Sequence, residues 1–238
     1  MLQGRCREPS GTVAAGGSDS ARRTYQESAL RPMLNPQPKP VVGLVGGIGS
    51  GKSRVAALFR DTGARVIAGD DLGHEALRQP TIRDRVTERW GKDLLDGPEI
   101  DRRRLAAIVF ADADQRHALE TIVHPWIKQR MRDEVAQAQA DPQVRFVVVD
   151  AAILLEAGWN DLCDRLVFVE APAAVRRERI AEQRGWTAAE VAAREQAQLP
   201  LTAKAVRADY TLDNAGSLES LKRQVADLLQ VWGLSSFG

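Results

Sequence analysis

Residues 46–53 have the types and spacing needed to bind a triphosphate. They read GGIGSGKS, which satisfies the phosphate-loop pattern G-x-x-x-x-G-K-[ST]. Glycines let the backbone curl so that successive N–H groups point inward, which forms an anion-binding concavity at the start of a helix. A β-rich apolar run precedes the octapeptide and a helical pattern follows it, as the motif requires. We predict that the chain binds a nucleoside triphosphate.

Each part of this loop has an expected task. The N–H groups of residues 49–54 should hold the β- and α-phosphates, and Lys52 should reach the β/γ oxygens. The Ser53 hydroxyl should ligate Mg²⁺. The predicted nucleotide-binding residues are therefore Gly47, Gly49, Ser50, Gly51, Lys52, Ser53 and Arg54.

Triphosphate binding does not name the reaction. The base-reading N-K-x-D of GTPases and the L-S-G-G-Q of ABC-type ATPases are both absent from the sequence. What remains is mainly a small-molecule kinase. Such an enzyme needs an acceptor site, a base for the acceptor hydroxyl and cationic groups over the phosphates.

Carboxylates follow two of the expected strands. Asp70 and Asp71 come after the second strand, which we expect to lie beside the first, and Asp150 ends the apolar run 145–149. Ligands of open α/β sheets bind outside the carboxyl ends of the strands. Asp70 is therefore a candidate base or Mg²⁺ ligand, with a helix cap or solvated turn as the alternative, whereas Asp71 fits a cap better. Asp150 is positioned to reach Mg²⁺, often through water.

Acceptor and lid residues are less sharply indicated. Glu156 follows an apolar run and fits an acceptor or metal contact as well as a helix cap. Four arginines lie between Pro172 and Gly185, where a lid would follow the fourth strand: Arg176, Arg177, Arg179 and Arg184. Arginine neutralises a phosphoryl group in transfer, although a helical run of charges is often only a solvated face.

The apolar pattern indicates how these residues are positioned. Short β-rich runs at 41–45, 65–68, 145–149, 165–169 and 210–212 lack alternation, as expected of strands covered on both faces. Helical segments lie between them, which predicts an α/β fold with a five-stranded parallel sheet flanked by helices. Residues 72–140 are too long for a simple crossover and should form a helical acceptor-binding subdomain, with a lid at 173–200. The spacing also predicts a helix opened by Asp112, a capping box from Thr187 to Glu190, and a helix start at His124-Pro125.

Composition excludes several classes of protein. The 238 residues carry 33 basic and 32 acidic side chains, so nothing indicates a general nucleic-acid binder. The longest apolar runs, 146–149 and 151–155, are far shorter than the roughly 18 residues of a membrane span. Two cysteines without a CxxC pair favour a reducing compartment, which we take as cytoplasmic. Residues 1–40 are rich in Gly, Ser, Pro and Arg and are expected to be a disordered extension, with the kinase domain at 41–238.

The residues from 41 to about 229 resemble the dephospho-CoA kinases. The resemblance depends on motifs in order: GLVGGIGSGKS at 43–53, VIAGDD at 66–71, IDRRRL at 100–105 with VF at 109–110, HPWI at 124–127, DAAILLE at 150–156 and ADYTLDNAGS at 208–217. A phosphate loop alone is shared by many families, whereas the ordered set is specific.

The resemblance implies a P-loop kinase core with a helical acceptor domain and a lid. It also implies ATP as phosphoryl donor and the ribose 3′-hydroxyl of dephospho-CoA as acceptor, the last step of coenzyme A synthesis. By position, Asp70 is the implied general base, with Lys52, Arg179 and Arg184 acting on the phosphates. The implied substrate residues are Asp70, Arg102, His124, Leu154 and Glu156, and Asn214 should lie beside the adenine.

Three positions depart from the family pattern. Ala68 stands where many relatives have a second acid, Ala152 replaces a usual proline, and Arg179 and Arg184 are five apart rather than four. Three rival functions stay open on the sequence alone. They are a kinase for another small hydroxyl acceptor such as a nucleotide, a regulatory ATP-binding module without an acceptor, and a nucleic-acid-dependent ATPase.

Overall fold

The computed structural model describes residues 38–184 and 186–234. Most of the predicted disordered extension at 1–40, including Cys6, therefore lies outside the described residues. The side chain of Arg184, which ends a helix, also lies outside what is described.

A five-stranded parallel sheet forms the centre of the fold, as predicted. Its strands are β1 (Val41–Gly46), β2 (Ala64–Ala68), β5 (Phe146–Asp150), β6 (Arg165–Glu170) and β7 (Tyr210–Asp213). Two short strands, β3 (Leu95–Asp96) and β4 (Glu99–Ile100), form a separate antiparallel pair.

The strand order is β2-β5-β1-β6-β7, so β5 separates the first two strands. The prediction that the second strand lies beside the first is wrong. The residues from Phe146 to Val149 are fully enclosed, which is consistent with an inner strand that has a neighbour on each side. The edge strand β2 exposes Arg65, which an inner strand could not do without cost.

Helices cover both faces of the sheet. They are α1 (Lys52–Asp61), α2 (Gly69–Arg78), α3 (Pro80–Trp90), α4 (Arg102–Ala111), α5 (Ala113–Ala140), α6 (Ala173–Arg184), α7 (Ala188–Gln196), α8 (Leu201–Arg207) and α9 (Leu218–Val231). Val41 and Val45 of β1 belong to one apolar cluster, and Val42 and Leu44 belong to the other. This division explains why the strands show no polar alternation. No helix in the described ranges is long and apolar enough to cross a bilayer.

Capping residues set several of the helix starts. The Asp112 carboxylate accepts from two backbone N–H groups at the start of α5, and Thr187 forms a capping box with Glu190 at α7, so both predictions are confirmed. The prediction of a helix start at His124-Pro125 is wrong, because α5 continues through Pro125. Burial of apolar side chains on both sides of the proline offsets the hydrogen bond lost there.

Helix α2 begins earlier than the sequence indicated. Ala68 occupies its N-cap position without a side-chain cap, so the prediction that Asp71 caps this helix is wrong. Asp70 and Asp71 both lie in the first turn instead. Negative charge in the first turn is favoured by the helix dipole, which explains why the acids suit this position without capping it.

Candidate active site

The phosphate loop connects the end of β1 to the start of α1, in the predicted strand–loop–helix context. Gly49 and Gly51 have φ angles of 75° and 89°, in the left-handed region that glycine adopts without strain. A Cβ atom on Gly51 would lie 2.1 Å from the side-chain nitrogen of Asn214. The loop therefore requires glycine at this position both for conformation and for space.

The loop uses some of its own N–H groups internally. The Ser50 N–H donates to the Gly47 carbonyl at 3.1 Å, and the Arg54 N–H donates to the Gly51 carbonyl at 3.0 Å. Phosphate binding by the N–H groups of residues 49–54 stays a prediction, and two of these groups have acceptors within the loop. The first turn of α1 still presents its N-terminal end to the loop, which favours an anion there.

Lys52, Ser53 and Asp150 come together at the start of α1. The Lys52 ammonium lies 3.4 Å from the Gly46 carbonyl oxygen, and the Ser53 hydroxyl donates to Asp150 Oδ2 at 3.2 Å. Burial raises the pKa of the Asp150 carboxyl, while the Lys52 charge and the Ser53 hydrogen bond act in the opposite direction. A cation beside Asp150 would offset the cost of its burial.

Asp70 lies at the same edge of the sheet as Asp150. Ala68, the last residue of β2, pairs in register with Asp150 of β5, and Asp70 follows two residues later in the exposed first turn of α2. The charge on Asp70 contributes to the raised pKa of Asp150. The structure thus brings the two predicted carboxylates together, although β5 lies between β2 and β1.

Two side chains from distant segments of the sequence, Asn214 and Arg179, donate hydrogen bonds to the phosphate loop. Asn214 is 2% exposed, and its side-chain amide donates to the Ser50 carbonyl at 2.8 Å. Arg179 donates to the same carbonyl at 3.3 Å and to the Asn214 carbonyl at 2.8 Å. Partial burial and the nearby Arg54 charge lower the pKa of the Arg179 guanidinium. The position of Asn214 beside an adenine stays a prediction.

Arg176 connects the same loop to α7, in the segment 173–200 that is predicted to be a lid. Its guanidinium donates to the Ile48 carbonyl at 3.3 Å and pairs with Glu195 at 2.8 Å. Glu195 lies on α7, and Arg194 beside it packs over the rings of Phe110 and Trp186 at 4.3 and 4.1 Å. Helix α6 therefore contacts the phosphate loop, and helix α7 contacts α4.

The predicted acceptor residues lie in different environments. Glu156 accepts from the Leu199 N–H and pairs with Lys204, both at 2.8 Å, and it does not cap a helix. Leu154 is 1% exposed, and its side chain fills the space over Gly43 of β1. Their contacts with a substrate stay predictions.

The other two acceptor candidates lie on the helical insertion. Arg102 is exposed at the first residue of α4. His124 lies half-buried on α5, with its ring centroid 5.0 Å from that of Trp159. Burial lowers the pKa of the His124 imidazole, which favours its neutral form. A substrate role for either residue stays a prediction.

Sequence reasoning missed the pairing of Glu156 with Lys204 and that of Arg176 with Glu195. One signal was present for the first pair, because Lys204 lies three residues after Leu201 and four before Ala208 and so shares their apolar face at helical spacing. The sequence around Glu156 and Glu195 contained no pattern that predicted which residue each would pair with.

Comparison with known proteins agrees with this geometry. The profile of the dephospho-CoA kinase family matches residues 40–220. The chain belongs to this family. The predicted activity, ATP-dependent phosphorylation of dephospho-CoA in the final step of coenzyme A biosynthesis, is confirmed at the level of the family, as is the enzyme class of kinase.

The alignments with individual relatives span nearly the whole length of each relative. A dephospho-CoA kinase from Bacillus licheniformis is 38% identical over 198 residues, which are 81% of this chain and 96% of that one. One from Anaeromyxobacter dehalogenans is 41% identical over 195 residues, which are 79% of this chain and 90% of that one.

Solved structures agree with the P-loop kinase fold. The crystal structure of TT1252 from Thermus thermophilus has a TM-score of 0.68 at 34% identity and covers 82% of this chain and 98% of that one. A dephospho-CoA kinase from Campylobacter jejuni shares the fold with a TM-score of 0.56 at 18% identity, covering 83% of this chain and 98% of that one.

Proposed function

We propose that this chain transfers the γ-phosphoryl group of ATP to the ribose 3′-hydroxyl of dephospho-CoA, with Asp70 as the general base and Mg²⁺ as the metal. One observation carries the residue assignment. Lys52, Ser53, Asp70 and Asp150 meet beside the phosphate loop, at the carboxyl edge of β1, β2 and β5. That edge is where an open α/β sheet binds its ligands.

The proposed reaction needs one proton acceptor near the γ-phosphate. Asp70 takes the proton of the 3′-hydroxyl while the hydroxyl oxygen bonds to the γ-phosphorus. The bond between that phosphorus and the bridging oxygen breaks, and ADP leaves. The carboxylate lies in an exposed first turn and is therefore accessible to a substrate hydroxyl. Ala68 stands where the family pattern has a second acid, a possible metal-shell carboxylate, so more weight falls on Asp70.

Positive charge from three sources favours the transfer. Lys52 extends from the first residue of α1, and Arg54 lies two residues later on the same helix. Arg179 adds a charge from the lid helix while holding the Ser50 carbonyl. Preorganised cations of this kind stabilise the charge of a transferring phosphoryl group, and little covalent chemistry is left to the protein. Arg184 stays a predicted contributor.

The residues present fit a magnesium ion. Ser53 and Asp150 supply two oxygen atoms 3.2 Å apart, and oxygen is the ligand that Mg²⁺ prefers. The buried Asp150 carboxyl, with its raised pKa, is also stabilised in its charged form by a neighbouring cation. When bound, the ion would neutralise charge on the phosphate oxygens. A cytoplasmic location and the absence of a nucleic-acid partner stay predictions.

Incubation of the purified chain with ATP, Mg²⁺ and dephospho-CoA tests the proposal. Mass spectrometry should find coenzyme A, with ADP released in equal amount, and fragmentation should place the new phosphate on the 3′-oxygen. Parallel reactions use a nucleoside monophosphate or a sugar as acceptor. Faster transfer to one of these would contradict the acceptor assignment. Tight ATP binding without turnover on any acceptor would indicate a regulatory ATP-binding module instead.

A further inference from the structure

Lys204 is a buried lysine whose place in the fold the proposed mechanism does not explain. It lies in α8 and is 1% exposed. Among the residues that the structure describes, the polar ones buried to this extent are Ser50, Lys204 and Asn214. A lysine is rarely enclosed unless it is paired, because removing its charge from water is costly. Its partners should therefore show what it does.

The Lys204 ammonium bridges two separate segments. It pairs with Glu156 Oε1 at 2.8 Å and donates to the Ala152 carbonyl at 3.4 Å, both in the loop that follows β5. It also donates to Gln198 Oε1 at 3.0 Å, in the segment that joins α7 to α8. Glu156 Oε1 accepts from the Leu199 N–H as well, at 2.8 Å. Three acceptors match the three N–H bonds of the ammonium.

The two bridged segments both lead to the phosphate site. The loop after β5 begins directly behind Asp150, which holds the Ser53 hydroxyl. The segment 197–200 continues from α7, whose Glu195 pairs with the Arg176 that contacts the Ile48 carbonyl. Lys204 therefore joins the end of the predicted lid to the loop that follows the proposed metal ligand Asp150.

Helix α8 also lies beside the phosphate loop. Its first residue, Leu201, lies close to Gly47, where an added Cβ would be 3.0 Å from the Leu201 side chain. A cavity of about 160 Å³ remains between the loop and the helix, lined by Gly47, Arg176, Leu201 and Thr202 among others. Leu201 and Ala205 pack against the apolar core, but the cavity leaves α8 incompletely packed beside Thr202, and its seven residues have no side-chain N-cap.

We propose that Lys204 is a positioning residue for phosphoryl transfer: it anchors α8 and the end of the lid to the loop behind Asp150. This inference rests on the function proposed above. Without the ammonium, α8 can move into the cavity, and the lid and the phosphate loop lose their common support. A displacement of about 1 Å at such a site costs about 100-fold in turnover.

Lys204→Met tests the proposal because it keeps the length of the side chain and removes the charge. We expect kcat for coenzyme A formation to fall about 100-fold, with the KM for ATP changed less than about threefold. We also expect more than one ADP per coenzyme A, because a lid that closes imperfectly admits water to the γ-phosphate. Lys222→Met is the matched control, since that lysine lies on α9 with its side chain 52% exposed.

The ratio of ADP to coenzyme A separates positioning from mere stabilisation. Both variants are assayed where circular dichroism shows them fully folded. A folded Lys204→Met protein with wild-type kcat and a ratio of one would overturn the proposal. If that variant does not fold, Gln198→Leu is measured instead. It keeps the ion pair and cuts the side-chain link to segment 197–200, so a raised ratio supports the proposal and an unchanged ratio overturns it.

The proposed function fails by a different result. Wild-type protein that makes no coenzyme A would contradict the assigned reaction. An Asp70→Asn variant with full turnover would contradict only the assigned base. Both results differ from the one expected of a folded Lys204 variant, which would release more ADP than it forms coenzyme A.

Discussion

The side-chain amide of Asn214 donates to the carbonyl of Ser50 at 2.8 Å, across 164 residues of sequence. The contact joins the residue that follows β7 to the middle of the phosphate loop. Both residues are buried, so the Ser50 carbonyl has no ready access to water in place of the amide. The shape of the loop therefore depends on a side chain that is far away in the sequence.

Asn214→Leu should weaken ATP binding and lower stability. The Ser50 carbonyl would keep only the longer bond from Arg179, at 3.3 Å. Loss of the shorter buried hydrogen bond costs at most about 1–3 kcal/mol, which corresponds to a change of about 5-fold to 150-fold if all of it acts on the loop. Titration calorimetry with ATP and thermal unfolding would measure the two effects. Thr211→Ala, an exposed change on β7, serves as the control. Unchanged ATP affinity in Asn214→Leu would show that the loop keeps its shape without this contact.

Asp70→Asn should lower kcat about 10²- to 10⁴-fold while ATP affinity stays the same, because a general base is worth about that factor. Loss of the Asp70 charge also removes one of the causes that raise the pKa of Asp150. The substitution should therefore not weaken Asp150 as the proposed metal ligand. Steady-state kinetics and ATP titration give both numbers. Asp71→Asn, in the same helical turn, is the control. Nearly full turnover in Asp70→Asn would refute the base assignment.

Arg179→Met should affect turnover more than acceptor affinity. Its guanidinium holds the Ser50 and Asn214 carbonyls and lies near Arg54, so its loss disturbs the phosphate end of the site. We expect kcat to fall about 100-fold, as for removal of one donor to a transition-state charge. The KM for dephospho-CoA should change less than about threefold. Arg177→Met, exposed on the same helix, is the matched control. The reverse pattern, a raised KM with normal kcat, would place Arg179 in the acceptor site.

Cys163 should react slowly with thiol reagents in the folded protein. Burial, with help from Asp164 and Asp161, raises the pKa of its thiol to about 12. The thiol form therefore persists at pH 8, and the thiolate fraction is about a thousandfold lower than at the ordinary pKa. Iodoacetamide labelling of a Cys6→Ser variant, followed by mass spectrometry, measures this one cysteine.

The labelling rate should keep rising as the pH goes from 8 to 10, since the raised pKa lies above that range. Unfolding in guanidinium should restore the rate of a free cysteine. A rate that levels off near pH 9 in the folded protein would contradict the raised pKa.

Local sequence was sufficient for the phosphate loop, the five strands and several helix starts. The octapeptide at 46–53 carries glycines, a lysine and a serine at the spacing that predicts an anion-binding turn. The caps at Asp112 and Thr187 bond to backbone N–H groups within three residues, so local sequence was also sufficient to predict them. The fully apolar strands predicted a sheet covered on both faces, because burial removes the need for polar alternation.

Tertiary structure decided which of these elements became neighbours. An apolar strand pairs with any other, so nothing in the run 146–149 showed that β5 would enter between β1 and β2. For the same reason nothing in the sequence indicated that Glu156 pairs with Lys204. Pairings across 48 or 164 residues depend on the whole packing of the chain, which short-range spacing does not encode.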